Sequence, residues 1–153
     1  MEPFAAELTD TPLNTKERKI LTDSFLNIPG LRMFGCHSTT YAIPALEWHY
    51  HRDCFEFVFV ARGSARFSVD GHTYPLSGGE LFVTFPNEAH SSDSSPMVPQ
   101  QMYWFQLEAD DPGRLLYLNR EAAGLLLEQL RSLKSRVIQM DPDKTASLLR
   151  ALT

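Results

Sequence analysis

The sequence predicts a mainly β domain followed by two C-terminal helices, and three observations carry that prediction. Between about residues 31 and 108, short runs rich in Val, Phe, Tyr and Thr alternate with Gly, Pro, Asn and Asp, the punctuation of an antiparallel sandwich or barrel. Within that stretch, ARFSVDGHTYPL sets two alternating runs on either side of Asp70-Gly71, a dipeptide that supplies the two positive φ values of a type I′ hairpin turn. After Pro112 the period changes, and Ala122, Leu126, Leu130, Leu133 and Val137 recur at spacings of four and three, which is one face of a helix.

Taken in chain order, residues 1–20 are polar, carry Pro3 and Pro12 and include the charged patch KERK, and they read as a loose entry arm. Residues 21–111 make up the β body. In it, SGGELFVTFPNEAH places a glycine turn before an apolar strand at 81–85 and a Pro-Asn break before His90; SSDSSPMVPQ is a loop, and QMYWFQLEA is a further strand. Residues 112–153 are helical. Asn119 is a good N-cap for a helix running to about residue 136. Asp141-Pro142 is a cap followed by proline in the first turn, and Ala146, Leu149 and Leu152 continue the apolar face of a second helix. The last residues, LLRALT, fall inside that apolar pattern without a stop signal, so a longer parent protein is expected.

Composition limits the functions open to the chain. With 153 residues, one domain is the default. The 14 basic residues are scattered against 19 acidic ones, giving a net charge of −5 and no basic stripe, which argues against nucleic-acid binding by this chain alone. Two cysteines, Cys36 and Cys54, do not make a secreted disulfide framework, and both are expected as free thiols in a reducing compartment. There is no export leader and no apolar run of about 18 residues, so a cytoplasmic protein without membrane association is expected.

The stretch richest in chemistry is HYHRDCFEFVFVARG, residues 49–63. On a strand, His49 and His51 share a face, whereas Glu56 lies at an odd offset from His51 and turns away unless an irregularity intervenes. The RDC segment, centred on Asp53, is the place for one. His90 follows a neighbouring strand. Three imidazoles and a carboxylate converging in a barrel mouth suit a divalent ion such as Zn, Ni or Fe, with positions left open for water or a ligand.

The pattern His-x-His, four residues, Glu, six residues, Gly at His49, His51, Glu56 and Gly63 resembles the first motif of the cupin superfamily. Gly79, Pro86 and His90 resemble the second, with Asn87 where a glycine is frequent. The resemblance implies a cupin-type double-stranded β-helix, or jelly-roll barrel. Within cupins, residues 20–153 most resemble the N-terminal ligand-sensing and dimerisation domain of AraC-type transcription regulators. That resemblance implies a pocket for a small-molecule effector, a sugar among the candidates, and a homodimer formed through the C-terminal helices at Leu126, Leu130 and Leu133. It also implies DNA contacts made only through helix-turn-helix motifs beyond residue 153. A small metal-dependent cupin enzyme, a dioxygenase or sugar isomerase, is the alternative reading of the same four residues.

Three further residues are pocket candidates. If Glu56 faces inward, alternation carries Val58, Val60 and Arg62 with it, and Arg62 would offer a fork for a carboxylate, phosphate or sugar hydroxyl. In MYWFQL either Trp104 with Gln106, or Tyr103 with Phe105 and Leu107, faces in; resemblance to sugar-sensing members favours Trp104 and Gln106. His37 and His72 are expected at the surface, and Cys54 as a small packed hydrophobe.

Overall fold

The computed structural model describes residues 4–152, without the side chains of 148, 149, 151 and 152, so the expected apolar positions Leu149 and Leu152 lie outside the described residues. Residues 4–22 include β1 (Ala6–Glu7), β2 (Leu13–Asn14) and β3 (Arg18–Thr22). A single helical turn, α1 (Asp23–Leu26), leads to β4 (Leu31–Ser38), β5 (His49–Tyr50), β6 (Cys54–Val69), β7 (His72–Ser77), β8 (Glu80–Thr84), β9 (His90–Ser91) and β10 (Gln100–Glu108). A 3-10 turn at Pro112–Arg114, α2 (Arg120–Arg131), β11 (Val137–Gln139) and α3 (Pro142–Leu152) complete the chain.

The 16-residue β6 is the spine of one curled sheet. Its first half pairs with β10 on one side and β8 on the other, and its second half pairs with β7 and β9. The path then runs from β10 through β4 and β3 to β2. A strand shared in this way bends the sheet over itself, the barrel geometry expected from the sequence. The hairpin turn is also as expected, with Asp70 at φ 48° and Gly71 at φ 74°.

Alternation along β6 divides the apolar residues into two layers. Val58 and Val60 join Met33, Phe67, Phe82, Met102 and Trp104 inside the barrel, while Phe55 and Phe57 join Val83, Leu107, Leu115, Ala123 and Leu127 beneath α2. The helix is held at its start by Asn119, whose Oδ1 accepts from the Ala122 amide at 2.8 Å, as its sequence implies.

Two expectations of element boundary are corrected. The entry arm is not loose: β1 pairs in parallel with β5, and β2 and β3 extend the sheet edge next to β4. Its strands are too short and too polar to show the alternation that marks a strand in sequence. The helix expected to reach residue 136 stops at Arg131, with Ser132 as its cap, and Val137 lies instead in β11, paired with Phe82 of β8. The free edge of β8 offers a ladder to the β-branched pair Val137-Ile138, and tertiary pairing overrides the helical period.

Candidate functional site

The inward direction of Glu56 is set by the backbone at Asp53. After β5 the chain turns through Asp53 at φ 54°, a left-handed position that Asp tolerates, and the turn is held by Asn87, whose Oδ1 accepts from the Asp53 amide and whose Nδ2 donates to the Asp53 carboxylate. Asn87 is itself left-handed at φ 63°. The turn resets the parity of the strand, so Glu56 faces the same interior as His49 and His51.

His49, His51, Glu56 and His90 are all buried, and one ligand atom from each lies within 4.8 Å of all the others. Glu56 stands between two of the rings, its Oε1 3.0 Å from His51 Nε2 and its Oε2 3.1 Å from His90 Nε2. Each histidine is oriented from behind. The Nδ1 atoms meet the carbonyl oxygens of Glu47 at 2.7 Å, Leu8 at 3.1 Å and Glu88 at 3.0 Å for His49, His51 and His90 respectively. A carbonyl only accepts, so Nδ1 carries a proton in His49 and His90, and Nε2 is the atom those rings turn to the centre; His51 Nδ1 lies 3.1 Å from the Gln106 amide nitrogen as well as from the Leu8 carbonyl.

The electrostatics follow from this packing. Burial alone would raise the Glu56 carboxyl, but hydrogen bonds from His51 and His90 outweigh it and hold the group well below its ordinary value. Burial opposes charge on His51, yet the Glu56 hydrogen bond and charge raise it above 6.5. His49 lacks such a partner, and burial with His90 alongside lowers it to about 4. A neutral His49, an ionised Glu56 and two more imidazoles aimed at one point are a donor set that fits a divalent first-row ion. These four residues would hold it, and the ion would supply a Lewis-acidic point for an oxygen of a bound molecule.

From this cluster a cavity of about 410 Å³ extends along the barrel. Its walls are apolar at Leu8, Ile43, Leu46, Val58, Phe67, Met97 and Met102, with Trp104 along one side. Of the two alternatives for β10, Trp104 and Gln106 face in. Trp104 is opposite Gly35 on β4, and a Cβ there would sit 2.4 Å from the indole, so the glycine makes the room the ring occupies. Gln106 is buried beside the histidines, where its amide donates to Asp10 at 2.9 Å and lies 3.4 Å from Glu56 Oε1. Tyr103, Phe105 and Leu107 point to the other side of the sheet, where Phe105 stacks on Phe57.

Two expected placements are corrected. Arg62 is exposed and does not line the cavity. The pairing of β6 with β10 skips Ala61, and this bulge ends the alternation that carries Glu56, Val58 and Val60 inward. His37, expected at the surface, is buried in the cavity wall, edge-on to Trp104 at 5.7 Å between ring centroids. It lies on β4 opposite Met102, in a strand whose inner face the sequence does not mark. His72 is exposed, as expected. Cys54 is packed, and burial pushes its thiol up to about 12, which leaves it a small hydrophobe. Leu126, Leu130 and Leu133 are half-buried against the layer beneath α2, with Leu125 beside them 56% exposed.

The sequence reading missed Asp10, Arg18 and His37 altogether as wall residues. Asp10 is raised by burial first and by Glu56 second. Arg18 places its guanidinium 5.1 Å from the centroid of Trp104. Both come from the segment read as an arm, which carries no motif to find them by.

The profile of the AraC-like ligand binding domain matches residues 34–153. The chain belongs to that family. This AraC-like domain finds no match among curated proteins. Among solved structures it is similar to the bacterial pirin YhhW of Escherichia coli, described in complex with nickel(II), at 15% identity over 65% of this chain and 48% of the pirin, with a TM-score of 0.51. A cupin protein of Bacteroides fragilis is 16% identical over 67% of this chain and 86% of its own, with a TM-score of 0.49. A predicted oxalate decarboxylase of Thermotoga maritima is 18% identical over 60% and 80%, at 0.48. At such identities the likeness is one of fold alone. No described helix of the AraC-like domain is long and apolar enough to cross a membrane.

Proposed function

We propose that this domain senses a small-molecule effector for a cytoplasmic transcription regulator, holding the molecule in the cavity without converting it. The supporting observation is the cavity itself: family membership gives it a ligand-binding role, and its metal-fitting cluster and Trp104 lie in one continuous wall. A divalent ion on His49, His51, Glu56 and His90, like the nickel(II) of the pirin, would anchor an oxygen of the effector. The regulator pairs two copies through α2, where Leu125 is exposed beside the half-buried Leu126, Leu130 and Leu133, and its DNA contacts are made outside this acidic chain.

The test is a thermal-shift screen of sugars and small organic acids, followed by mass spectrometry of each hit after prolonged incubation with metal-loaded protein. A stabilising molecule recovered unchanged supports sensing; steady conversion would establish the enzymatic alternative. Dimerisation is checked by light scattering, which should give about twice 17.4 kDa for wild type and a shift towards monomer for Leu125→Glu. A wild-type monomer at high micromolar concentration would contradict the pairing.

A further inference from the structure

The end of the cavity away from the histidine cluster is lined by polar groups that the protein leaves without partners. His37 is 6% exposed, and its Nε2 meets no hydrogen-bonding atom. The Thr39 hydroxyl and the Arg18 Nε are likewise buried and unpaired. All three residues line the cavity. A buried polar atom without a partner costs enough that most proteins satisfy nearly all of them, so three in one wall point to a missing molecule.

The charge at this end identifies what that molecule carries. Arg18 forms no ion pair among the described residues; its guanidinium lies over the Trp104 ring, near enough to Asp10 and His37 to act on both through its charge. The three acidic residues of the wall have other hydrogen-bond partners, Glu17 accepting from the Tyr41 hydroxyl at 2.6 Å, Asp10 from Gln106, and Glu56 standing between His51 and His90. His37 is buried next to this cation, and both burial and Arg18 keep it neutral. The site therefore offers one fixed positive charge in a planar fork, a neutral imidazole and a hydroxyl, set in apolar walls.

We propose that the effector is an organic acid whose carboxylate is bound by Arg18, His37 and Thr39, with its body along Trp104 and the apolar walls towards the histidine cluster. The guanidinium fork matches the two oxygens of a carboxylate, and Arg18 is the one Lys or Arg among the described lining residues, beside the carboxylates of Asp10 and Glu17, so this end takes a single anionic group. This rests on the sensing role given above, and names the class of molecule sensed.

The test uses matched pairs of probes that differ only at the acid: galacturonate with galactose, gluconate with glucitol, and phenylacetate with phenylacetamide, each titrated while Trp fluorescence and thermal stability are followed. At least one acid should bind, and its neutral partner should bind about ten- to a hundredfold more weakly. Arg18→Gln should lose the acid by a similar factor, and Arg18→Lys should recover part of it. Circular dichroism of each unliganded variant separates lost binding from lost folding, and Thr39→Val gives an independent variant. Neutral partners binding as tightly as the acids, or Arg18→Gln binding an acid as wild type does, would overturn the carboxylate and leave the sensing role intact. Silence from every acid while a neutral probe binds would do the same; silence from both arms would count against the sensing role as well.

Discussion

The two ends of the cavity are built to opposite rules. At the histidine end every ring is fixed from behind by a backbone carbonyl, and Glu56 stands between two Nε2 atoms. At the far end Arg18, His37 and Thr39 keep buried polar atoms without a hydrogen-bond partner among the described residues. The first end is organised by the protein before anything binds, as a metal site needs its ligands positioned by their supporting groups. The second is organised only when a ligand arrives, and that cost is recovered on binding. A sensor needs that asymmetry, because a site already satisfied in the free protein gains little from its effector.

Substitutions at the two ends should separate this contrast most widely. Glu56→Ala removes the centre of the organised end and leaves His51 buried without its counter-charge. Urea unfolding of the metal-free protein should show a loss of about 3 kcal/mol, and retained divalent metal after desalting should fall by at least about tenfold. Arg18→Gln should cost about 1 kcal/mol or less in the unliganded protein, since the contact with Trp104 and a through-space attraction to Asp10 are lost while the charge that opposes protonation of His37 is relieved. Equal losses at the two ends would break the comparison.

Gly35→Ala tests the wall that joins them. The added methyl would meet the Trp104 indole at 2.4 Å, and either the ring or β4 must move. A destabilisation of about 1–3 kcal/mol with altered Trp emission is expected; an unchanged spectrum and midpoint would show that the ring is not seated across Gly35.

The far end also carries a pH dependence. His37 is lowered from 6.5 to about 4, by burial first and by Arg18 second. The unfolded chain therefore takes up a proton near pH 6.5 that the fold refuses, so the contribution of His37 is fully present above pH 6.5 and is lost as pH falls towards 4. The urea midpoint of His37→Gln should fall less steeply across that window than that of wild type, and the ring protons of His37 should titrate near 4 by NMR. A midpoint near 6.5 would place the ring in water.

How far the sequence could be read also differs between the two ends. The histidine end is carried by one contiguous stretch and a turn: His49, His51 and Glu56 lie within eight residues, and the irregular RDC segment announced the left-handed Asp53 that brings Glu56 round. His90 follows a strand and break that are plain in the sequence. Alternation alone allows either face of β10 to point in, because it gives a period and not a phase, and only the family resemblance favours Trp104 and Gln106. Arg62 was misplaced by a bulge at Ala61, which leaves no mark in composition. Arg18 and His37 meet only because β3 pairs with β4, Arg18 opposite His37, and no local pattern carries a long-range register. Val137 passed for a helical residue because its partner strand lies more than fifty residues upstream. The site that a motif holds together was legible; the site that register holds together was not.

The most direct test of the central claim is an anomalous-difference map of crystals grown from nickel-loaded protein, collected at the metal edge. The account predicts one strong peak bonded to the Nε2 atoms of His49, His51 and His90 and to a Glu56 oxygen, with none at Arg18, His37 and Thr39. A peak only at surface carboxylates, or no peak from stoichiometrically loaded protein, would contradict it.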